Sequence, residues 1–261
     1  MPVRSCVPNI VLGLALTLPA LSPALDQDPG AWIGAGARLR PAYLGADSSR
    51  ADLVPYLRWY GQDFFARTTQ GMLEGGVRTS AIGPVVFGAQ LAYEEGRVSD
   101  ESAFLKAHRL EDIDAGASIG LHAETDWMFG PMPWNSLLRY RRHFDADKGS
   151  QIDARLTAGI FSRGGFDIGS FAQLTWADGK ATREYFGITP QQSALGALPS
   201  HGAGAGLRDL SYGLLGSIDI GRPWVVLWGA QVQTLLGDAQ DSPLTRRDTT
   251  WSANAGVAYR Y

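Results

Sequence analysis

The chain has 261 residues, of which 23 are lysine or arginine and 26 are aspartate or glutamate, and its formal net charge is −3 at pH 7. This acidic balance argues against nucleic-acid binding as a main activity. Beyond the N-terminal segment there is no run of about 18 apolar residues, the length that a membrane-spanning helix needs. The 32 glycines, 8 tryptophans and 9 tyrosines suit a protein that shows apolar side chains to lipid and polar ones to water.

The N-terminus has the three parts of a secretory signal peptide. A positively charged start precedes an apolar core at residues 10–18, and a small-residue cleavage site ends at Ala24. We therefore expect residues 1–24 to be a cleaved signal peptide and residues 25–261 to be the mature domain. A membrane anchor is the alternative, but the apolar core is short for a membrane span. The single cysteine, Cys6, would leave with the leader, so the mature chain has no disulfide.

The mature chain alternates apolar and polar residues with a period of two, which is typical of half-polar β-strands. The last segment shows the pattern most clearly, because one face carries Trp251, Ala253, Ala255, Val257, Tyr259 and Tyr261. A strand that faces lipid needs this alternation, with aromatic residues at the level of the headgroups. The period predicts twelve strands, at residues 31–40, 51–60, 63–68, 72–81, 84–94, 112–123, 133–144, 150–161, 166–177, 207–220, 223–236 and 250–261.

The connectors between these segments alternate in length. Short turns follow the second, fourth, eighth and tenth strands, whereas longer connectors follow the first, fifth, ninth and eleventh. Outer-membrane barrels have short periplasmic turns and longer extracellular loops. We therefore predict an all-β fold, a transmembrane antiparallel β-barrel of twelve strands with both termini in the periplasm. Ten strands are the alternative, because the third segment is short and the turn at 124–132 is long for the periplasmic side.

The alternation also predicts which side chains face the lumen. A register slip of one residue would turn every charge toward lipid, where a midplane Arg or Lys costs about 2–4 kcal/mol. The predicted inward set is Arg38, Arg40, Arg58, Glu74, Arg78, Asp114, His122, Glu124, Arg139, Arg141, Asp153, Arg155, Asp167, Asp209, Asp219 and Arg260. Paired charges would brace and fill the barrel, and segregated charges would select ions or small solutes. A soluble β-sandwich alternates similarly, but its buried face would carry less alanine and glycine.

The C-terminus carries a second pattern. Asn254, Gly256, Tyr259 and Tyr261 resemble the C-terminal signal that barrel-assembly machinery reads, and the pattern stops at the final residue. We therefore expect the assembly machinery to be a partner of this chain.

Neither an enzyme nor a metal centre is indicated by the sequence. The four histidines, His108, His122, His143 and His201, lie in no recognisable nucleophile–base motif. Asp238, Asp241 and Asp248 have oxygen ligands suited to calcium, but they lack the glycine-punctuated spacing of a dedicated calcium loop. A tight turn explains the same residues. We therefore expect no catalytic residue, no cofactor and no metal.

Two loop segments carry a family resemblance. The first contains Tyr185, Phe186, Gly187, Thr189, Pro190 and Ser193, and the second contains Gly237, Asp238, Ser242 and Pro243. Together with Arg40-Pro-Ala-Tyr-Leu-Gly-Ala-Asp47 and Trp176-Ala-Asp178, these segments resemble the MipA/OmpV family of outer-membrane proteins. The matched segments span about residues 31–261.

The resemblance implies a non-enzymatic, monomeric barrel in the outer membrane of a Gram-negative bacterium, in contact with outer-membrane lipid. The family takes its name from a member that resembles a scaffold between a lytic transglycosylase and a bifunctional penicillin-binding protein in murein synthesis. A scaffold or envelope-maintenance role is therefore the first expectation. Other members are described as porin-like or adhesion proteins, so a small-solute channel and a surface adhesin remain alternatives. The long segment from Asp178 to Gly206 could plug the mouth of the barrel.

Overall fold

The computed structural model describes residues 31–69 and 71–261, and it shows a closed antiparallel barrel. Each strand pairs with its neighbours in sequence, and β1 pairs with β12 to close the sheet. The strands are β1 (Trp32–Pro41), β2 (Ser49–Tyr60), β3 (Phe64–Thr69), β4 (Met72–Ile82), β5 (Val85–Glu94), β6 (Gly116–Phe129), β7 (Met132–His143), β8 (Ser150–Arg163), β9 (Phe166–Ala177), β10 (Gly206–Asp219), β11 (Trp224–Leu235) and β12 (Thr249–Arg260). This confirms the all-β prediction and twelve strands rather than ten. The predicted signal peptide lies outside the described residues.

Apart from the short β3–β4 turn at the outer end, the connectors divide by length between the two ends of the barrel, as predicted. Short turns at one end occupy residues 61–63, 83–84, 130–131, 164–165 and 220–223. The opposite end carries the longer connectors 42–48, 95–115, 144–149, 178–205 and 236–248. Because short turns mark the periplasmic side of outer-membrane barrels, the longer connectors face outward.

Four short α-helices lie in the outward-facing connectors of the described residues. They are α1 (Ala103–Ala107), α2 (Gly179–Phe186), α3 (Pro190–Gly196) and α4 (Gly237–Gln240). In the connector 95–115, Ser102 caps α1 by accepting a hydrogen bond from the Leu105 backbone N–H. Within the described part of the chain, every helix is too short or too polar to span a membrane.

The sixth strand is displaced relative to its predicted position. β6 runs from 116 to 129 instead of 112 to 123, and Ile113 pairs instead with Arg97 in an isolated bridge within the connector. The prediction that Asp114 faces the lumen is therefore wrong, since Asp114 is exposed in this connector. The apolar–polar alternation continues through the bridge, so it does not mark where the wall begins. The anomalous turn at 124–132 disappears, because only residues 130 and 131 connect β6 to β7.

The third strand is as short as predicted. β3 has six residues and pairs with β2 only at Arg67, Ala66 and Phe65. At the outer end of the β3–β4 hairpin, Gly71 has a φ of +87°, and a Cβ there would lie 2.1 Å from Nη1 of Arg38. Glycine is favoured at this turn because an L side chain is strained at this positive φ, and a Cβ would also require the Arg38 guanidinium to shift.

The outer surface of the barrel is apolar and carries aromatic residues near both ends. Leu53, Leu121 and Leu138 are more than half exposed between these ends. Exposed aromatic residues toward the periplasmic end are Trp59, Phe64, Trp127, Phe129, Phe161, Trp224 and Tyr259, and those toward the outer end are Tyr93, Tyr140, Phe144, Trp176 and Trp251. Two aromatic girdles that flank an apolar band are the pattern of a barrel that sits in a bilayer.

Candidate functional site: the lumen and its cap

A network of buried ion pairs crosses the middle of the lumen. Arg139 on β7 is its centre, with a side chain only 1% exposed; its Nη1 donates to Glu74 Oε2 at 2.8 Å and its Nε to Asp153 Oδ2 at 3.0 Å. Glu74 also accepts hydrogen bonds from Arg67 Nε at 2.6 Å and from Gln90 Nε2 at 2.7 Å. Because each charge lies between partners of opposite sign, the weak screening of the interior strengthens these contacts. Five strands are thereby tied together across the lumen.

The network continues toward the outer mouth. Arg141 Nη2 donates to Asp153 Oδ2 at 2.9 Å, and its Nη1 lies 2.9 Å from Glu94 Oε1. His143 Nε2 lies 3.4 Å from Glu94 Oε2. The lumen charges on β4, β5, β7 and β8 are therefore paired. The sequence alone did not decide between paired charges, which brace a barrel, and segregated charges, which select solutes.

Half of the sixteen side chains in the predicted inward set are buried in the lumen. Buried members are Arg38, Arg58, Glu74, His122, Arg139, Arg141, Asp153 and Asp209. Arg260 and Asp219 form an ion pair of 3.0 Å toward the periplasmic end, with side chains 26% and 44% exposed. The period of two therefore identifies the inward face correctly wherever the strand itself is placed correctly.

Two cavities adjoin each other in the lumen. The upper cavity, toward the outer mouth, has a volume of about 280 Å³, and the lower cavity, toward the periplasm, has about 250 Å³. Both are lined by Arg38, Thr69, Gln231 and Ser252. Arg38 is held at this level by Asp52, whose Oδ2 lies 2.9 Å from Nη2, and by Glu95, whose Oε1 lies 2.7 Å from the same nitrogen.

The upper cavity is polar and carries charges of both signs. Its charged lining consists of Arg38, Arg40, Arg97, Arg139, Arg141, Lys148 and Arg208, with Glu94, Glu95, Asp153 and Asp209. Ala181 and Tyr185 of α2 also line it, so a helix of the longest outward connector forms part of its roof.

The lower cavity combines arginines with aromatic rings. The guanidinium carbon of Arg58 lies 4.8 Å from the centroid of the Trp32 ring, and that of Arg155 lies 4.1 Å from the centroid of the Phe171 ring. These distances are those of cation–π contacts. The two cavities therefore differ in chemistry, although they adjoin each other.

The outward connectors 42–48, 95–115, 178–205 and 236–248 pack together into a cap over the outer mouth. All four contribute to one apolar cluster, formed by Ala42, Tyr43, Ala46, Leu105, Leu110, Ile188 and Leu244. A second cluster joins Phe186, Ala203, Leu235 and Ala239. The segment that could plug the mouth is thus the longest part of a structured cap, to which it contributes α2 and α3.

Buried polar groups hold the cap together. The Tyr43 hydroxyl donates to the Leu244 carbonyl at 3.0 Å, and burial, aided by Asp47, raises the pKa of Tyr43 to about 12. Arg97 Nη1 donates to the Tyr185 carbonyl at 2.9 Å. Burial lowers the pKa of Arg97 and raises the pKa of Tyr185. Both tyrosines therefore stay protonated to a higher pH than an exposed tyrosine would.

The two signature loops predicted from the sequence meet inside the cap. Phe186 is fully buried, and its carbonyl accepts a hydrogen bond from Ser242 Oγ at 2.6 Å. Asp238 Oδ2 accepts one from the Gly204 backbone N–H at 2.6 Å, and its carbonyl lies 2.9 Å from His201 Nε2. These contacts join one loop to the other, so the structure gives Ser242 and Asp238 a packing role. A functional role for the signature residues stays a prediction.

Other signature residues shape the ends of the cap helices. Thr189 and Gln192 form a capping box at the start of α3, where Pro190 occupies the first turn. The Gly187 N–H donates to the Arg183 carbonyl at the end of α2 at 2.8 Å. Gly237 begins α4 with a φ of +53°. The same two loops also contain Tyr185, Ser193 and Pro243.

The predicted C-terminal signal lies at the seam where β12 meets β1. Tyr56 on β2 reaches across β1, and its hydroxyl donates to Asn254 Oδ1 at 2.5 Å. A Cβ at Gly256 would lie 2.5 Å from Cε2 of the Tyr56 ring, so only glycine fits. Tyr259 and Tyr261 are on the outer side, 37% and 76% exposed, with ring centroids 5.0 Å apart. Recognition of these residues by assembly machinery stays a prediction.

Histidines and loop aspartates have contacts of their own. His122 faces the lumen, with Nδ1 2.9 Å from Gln90 Oε1, and His108 Nδ1 lies 2.5 Å from the Gly196 carbonyl. Asp248 Oδ2 accepts a hydrogen bond from Gln240 Nε2 at 3.1 Å. Across residues 31–69 and 71–261, no three histidine, cysteine, aspartate or glutamate side chains are grouped so that they could hold a metal ion.

Sequence reasoning missed several residues that shape the lumen. Trp32 and Tyr56 line the lower cavity. The alternation in the sequence could have identified both, because they have the same parity along β1 and β2 as the inward-facing Arg38 and Arg58. Arg67 was missed for another reason, since the third strand was too short for the alternation to define its inward face.

A closed barrel with an apolar exterior, two aromatic girdles and a charged lumen defines a class of protein, the outer-membrane β-barrels of Gram-negative bacteria. The chain belongs to the MipA family, because the family described as MltA-interacting protein MipA matches residues 33–261. The curated proteins contain no match to this sequence.

Several solved structures are similar to this chain at low sequence identity. An outer membrane channel from Pseudomonas putida F1 is 10% identical, with a TM-score of 0.49, over 92% of this chain and 100% of that chain. The beta domain of the Bordetella autotransporter Brka is 14% identical, with a TM-score of 0.42, over 89% and 99%. LpxR from Salmonella typhimurium is 7% identical, with a TM-score of 0.43, over 87% and 99%. These similarities concern the fold alone.

Proposed function

We propose that the protein is a non-enzymatic scaffold of the outer membrane that holds a lytic transglycosylase, and with it a bifunctional penicillin-binding protein, at the periplasmic mouth of the barrel. The observation that carries the proposal is the match of the MltA-interacting family over residues 33–261. The paired charges around Arg139 support it, because they make the barrel a rigid platform. During insertion we expect the barrel-assembly machinery to be a further partner, and the folded protein to be a monomer.

The periplasmic end limits how such a partner can bind. A stable protein contact usually buries about 800 Å² on each partner. The turns at this end have two to four residues each, so no single turn offers that area. A partner must therefore contact several turns together.

Site-directed crosslinking in intact cells tests the scaffold. A photoreactive amino acid replaces Gln62 or Arg222, which are exposed in two periplasmic turns, and Arg247, exposed in the cap, serves as the matched control. We expect murein synthases and lytic enzymes to be captured from positions 62 and 222 and not from 247. If neither periplasmic position captures such an enzyme, the scaffold proposal is wrong.

A small-solute channel is the second candidate, and the two adjoining lumen cavities favour it. The purified protein in a planar bilayer should then give stepwise conductance, and removal of residues 190–196 from the cap should raise it. If neither the unaltered protein nor the variant without residues 190–196 gives conductance across a range of salt concentrations, the channel is excluded. This measurement is independent of the crosslinking, since it needs no protein partner.

A further inference from the structure

The lower cavity has a one-sided charge. Arginines at its wall are Arg38, Arg58, Arg67 and Arg155. Among the described residues that line it, there is no aspartate and no glutamate. The upper cavity, by contrast, is lined by both signs. A cleft lined by charge of one sign between low-dielectric walls concentrates counter-ions of the other sign.

The carboxylates near this cavity are not among its described lining residues, and they have partners of their own. Glu124 accepts hydrogen bonds from Arg67 Nη1 at 3.2 Å and from Asn135 Nδ2 at 3.1 Å. Asp167 accepts hydrogen bonds from Ser162 Oγ at 2.5 Å and from Ser217 Oγ at 3.3 Å. The second carboxylate partner of Arg67 is Glu74, and those of Arg38 are Asp52 and Glu95. None of these carboxylate residues is among the described residues that line the lower cavity, whereas the arginines are.

The arginines are also positioned by aromatic rings. Arg58 lies over Trp32, and its guanidinium carbon is 5.6 Å from the centroid of the Tyr60 ring as well. Arg155 lies over Phe171. A guanidinium is planar and its N–H donors lie at its edge. A ring stacked on its face therefore fixes its orientation without covering the edge that matches a carboxylate.

The remaining lining is largely apolar. Leu137, Leu215 and Leu227 line the cavity together with the rings of Tyr56 and Phe171. A volume of about 250 Å³ corresponds to about eight waters at roughly 30 Å³ each. It lies just below the range of about 300–1,000 Å³ that is typical of pockets for drug-sized ligands. A single-ring organic acid matches this size, this apolar wall and this charge.

We propose that the lower cavity is a binding site for small aromatic carboxylates that enter from the periplasmic end. The acid group contacts Arg58 and Arg155, and the ring packs among the leucine and aromatic side chains. Access from this end follows from the topology, because the cap covers the outer mouth and only short turns border the periplasmic one. The site does not depend on the scaffold proposal, since no protein partner takes part.

Calorimetric titration of the full mature barrel, refolded in detergent, tests the proposal with benzoate, benzamide and inorganic phosphate as probes. We expect saturable benzoate binding, at least about tenfold weaker binding of the neutral benzamide, and weaker binding of phosphate, which lacks the ring. Benzamide that binds as tightly as benzoate would overturn the charge requirement, and phosphate that binds as tightly would overturn the aromatic one. No saturable benzoate binding at millimolar concentration would overturn the proposal as a whole.

Variants of the two arginines locate the site. Arg58→Gln and Arg155→Gln should each weaken benzoate binding about tenfold. Arg155→Lys, which keeps the charge, should recover part of the loss. The control is Arg163→Gln, which removes the same charge from an exposed position at the same end of the barrel and should change nothing. If Arg163→Gln weakens benzoate binding as much as Arg155→Gln, the loss reflects the change in net charge of the protein, and the proposed site is wrong. Should a variant fail to refold, the comparison of benzoate with benzamide on the unaltered protein still decides.

Discussion

At the scale of single residues, Arg139 is the side chain on which the lumen network depends most. Replacing it by leucine leaves the carboxylates of Glu74 and Asp153 buried beside one fewer cation. Breaking a buried pair by removing one partner typically costs about 3–5 kcal/mol. We therefore expect Arg139→Leu to lower the free energy of unfolding by about that amount, measured by denaturant titration of the refolded barrel.

The control for this change is Arg142→Leu. Arg142 lies on the same strand but is exposed, so the loss of its charge should change stability by less than about 1 kcal/mol. Equal losses from the two variants would mean that the network does not brace the barrel.

Gly256 is a second residue whose role can be measured. Gly256→Val forces a side chain against the Tyr56 ring at the closing seam, and overpacking of this kind costs about 1–3 kcal/mol. We expect a smaller folded fraction and a lower unfolding midpoint than for Ala255→Val, which places the same side chain on the lipid side of the neighbouring position. Assembly in cells should fall in the same order, and normal stability of Gly256→Val would show that the seam tolerates a side chain.

Among the elements, the cap should respond to alkaline pH. The pKa of Tyr43 rises from 10.0 to about 12 in the folded protein. A raised pKa adds stability that is fully present below pH 10, and this stability is lost as the pH rises from 10 toward about 12. The difference in thermal stability between the unaltered protein and Tyr43→Phe should therefore shrink over this interval.

Ultraviolet titration of tyrosinate provides the direct measurement. The difference between the titration curves of the unaltered protein and Tyr43→Phe should have its midpoint near pH 12. A midpoint near pH 10, the ordinary value, would show that Tyr43 is not buried in the cap.

Strand elements were predictable from the sequence because each obeys a strict physical rule. Lipid on one side and polar groups on the other impose a period of two, and this period located eleven strands within a few residues. It failed at β6, where Ile113 continues the alternation while it pairs with a loop residue. The alternation shows which face of a segment is apolar, but it does not show which other segment pairs with it.

The candidate site was less predictable than the strands. Inward charges such as Arg139 and Asp153 follow from parity, but their pairing depends on which strands lie side by side and on side-chain reach. The cap is harder still, because Phe186 and Ser242 meet across 56 positions in sequence. Such a contact between two irregular connectors leaves no periodic trace.

At the scale of the whole molecule, the apolar exterior fixes where charge is tolerated. Leu138 is 55% exposed on the outer face of β7. Leu138→Arg should lower the free energy of unfolding in lipid vesicles by about 2–4 kcal/mol if the residue lies near the bilayer midplane. Leu138→Ala, which shortens the same side chain without adding charge, is the control. An arginine tolerated as well as alanine at this position would contradict a lipid-facing exterior.

The Tyr56 contact with Asn254 has a consequence for the order in which the cylinder can be sealed. The ring belongs to the second strand made, while the groove that receives it is completed only by the last one. Tyr56 and Asn254 come from opposite ends of the chain, so this hydrogen bond forms only when β1 already lies between β2 and β12. A defect in the first hairpin should therefore also weaken the attachment of the last strand.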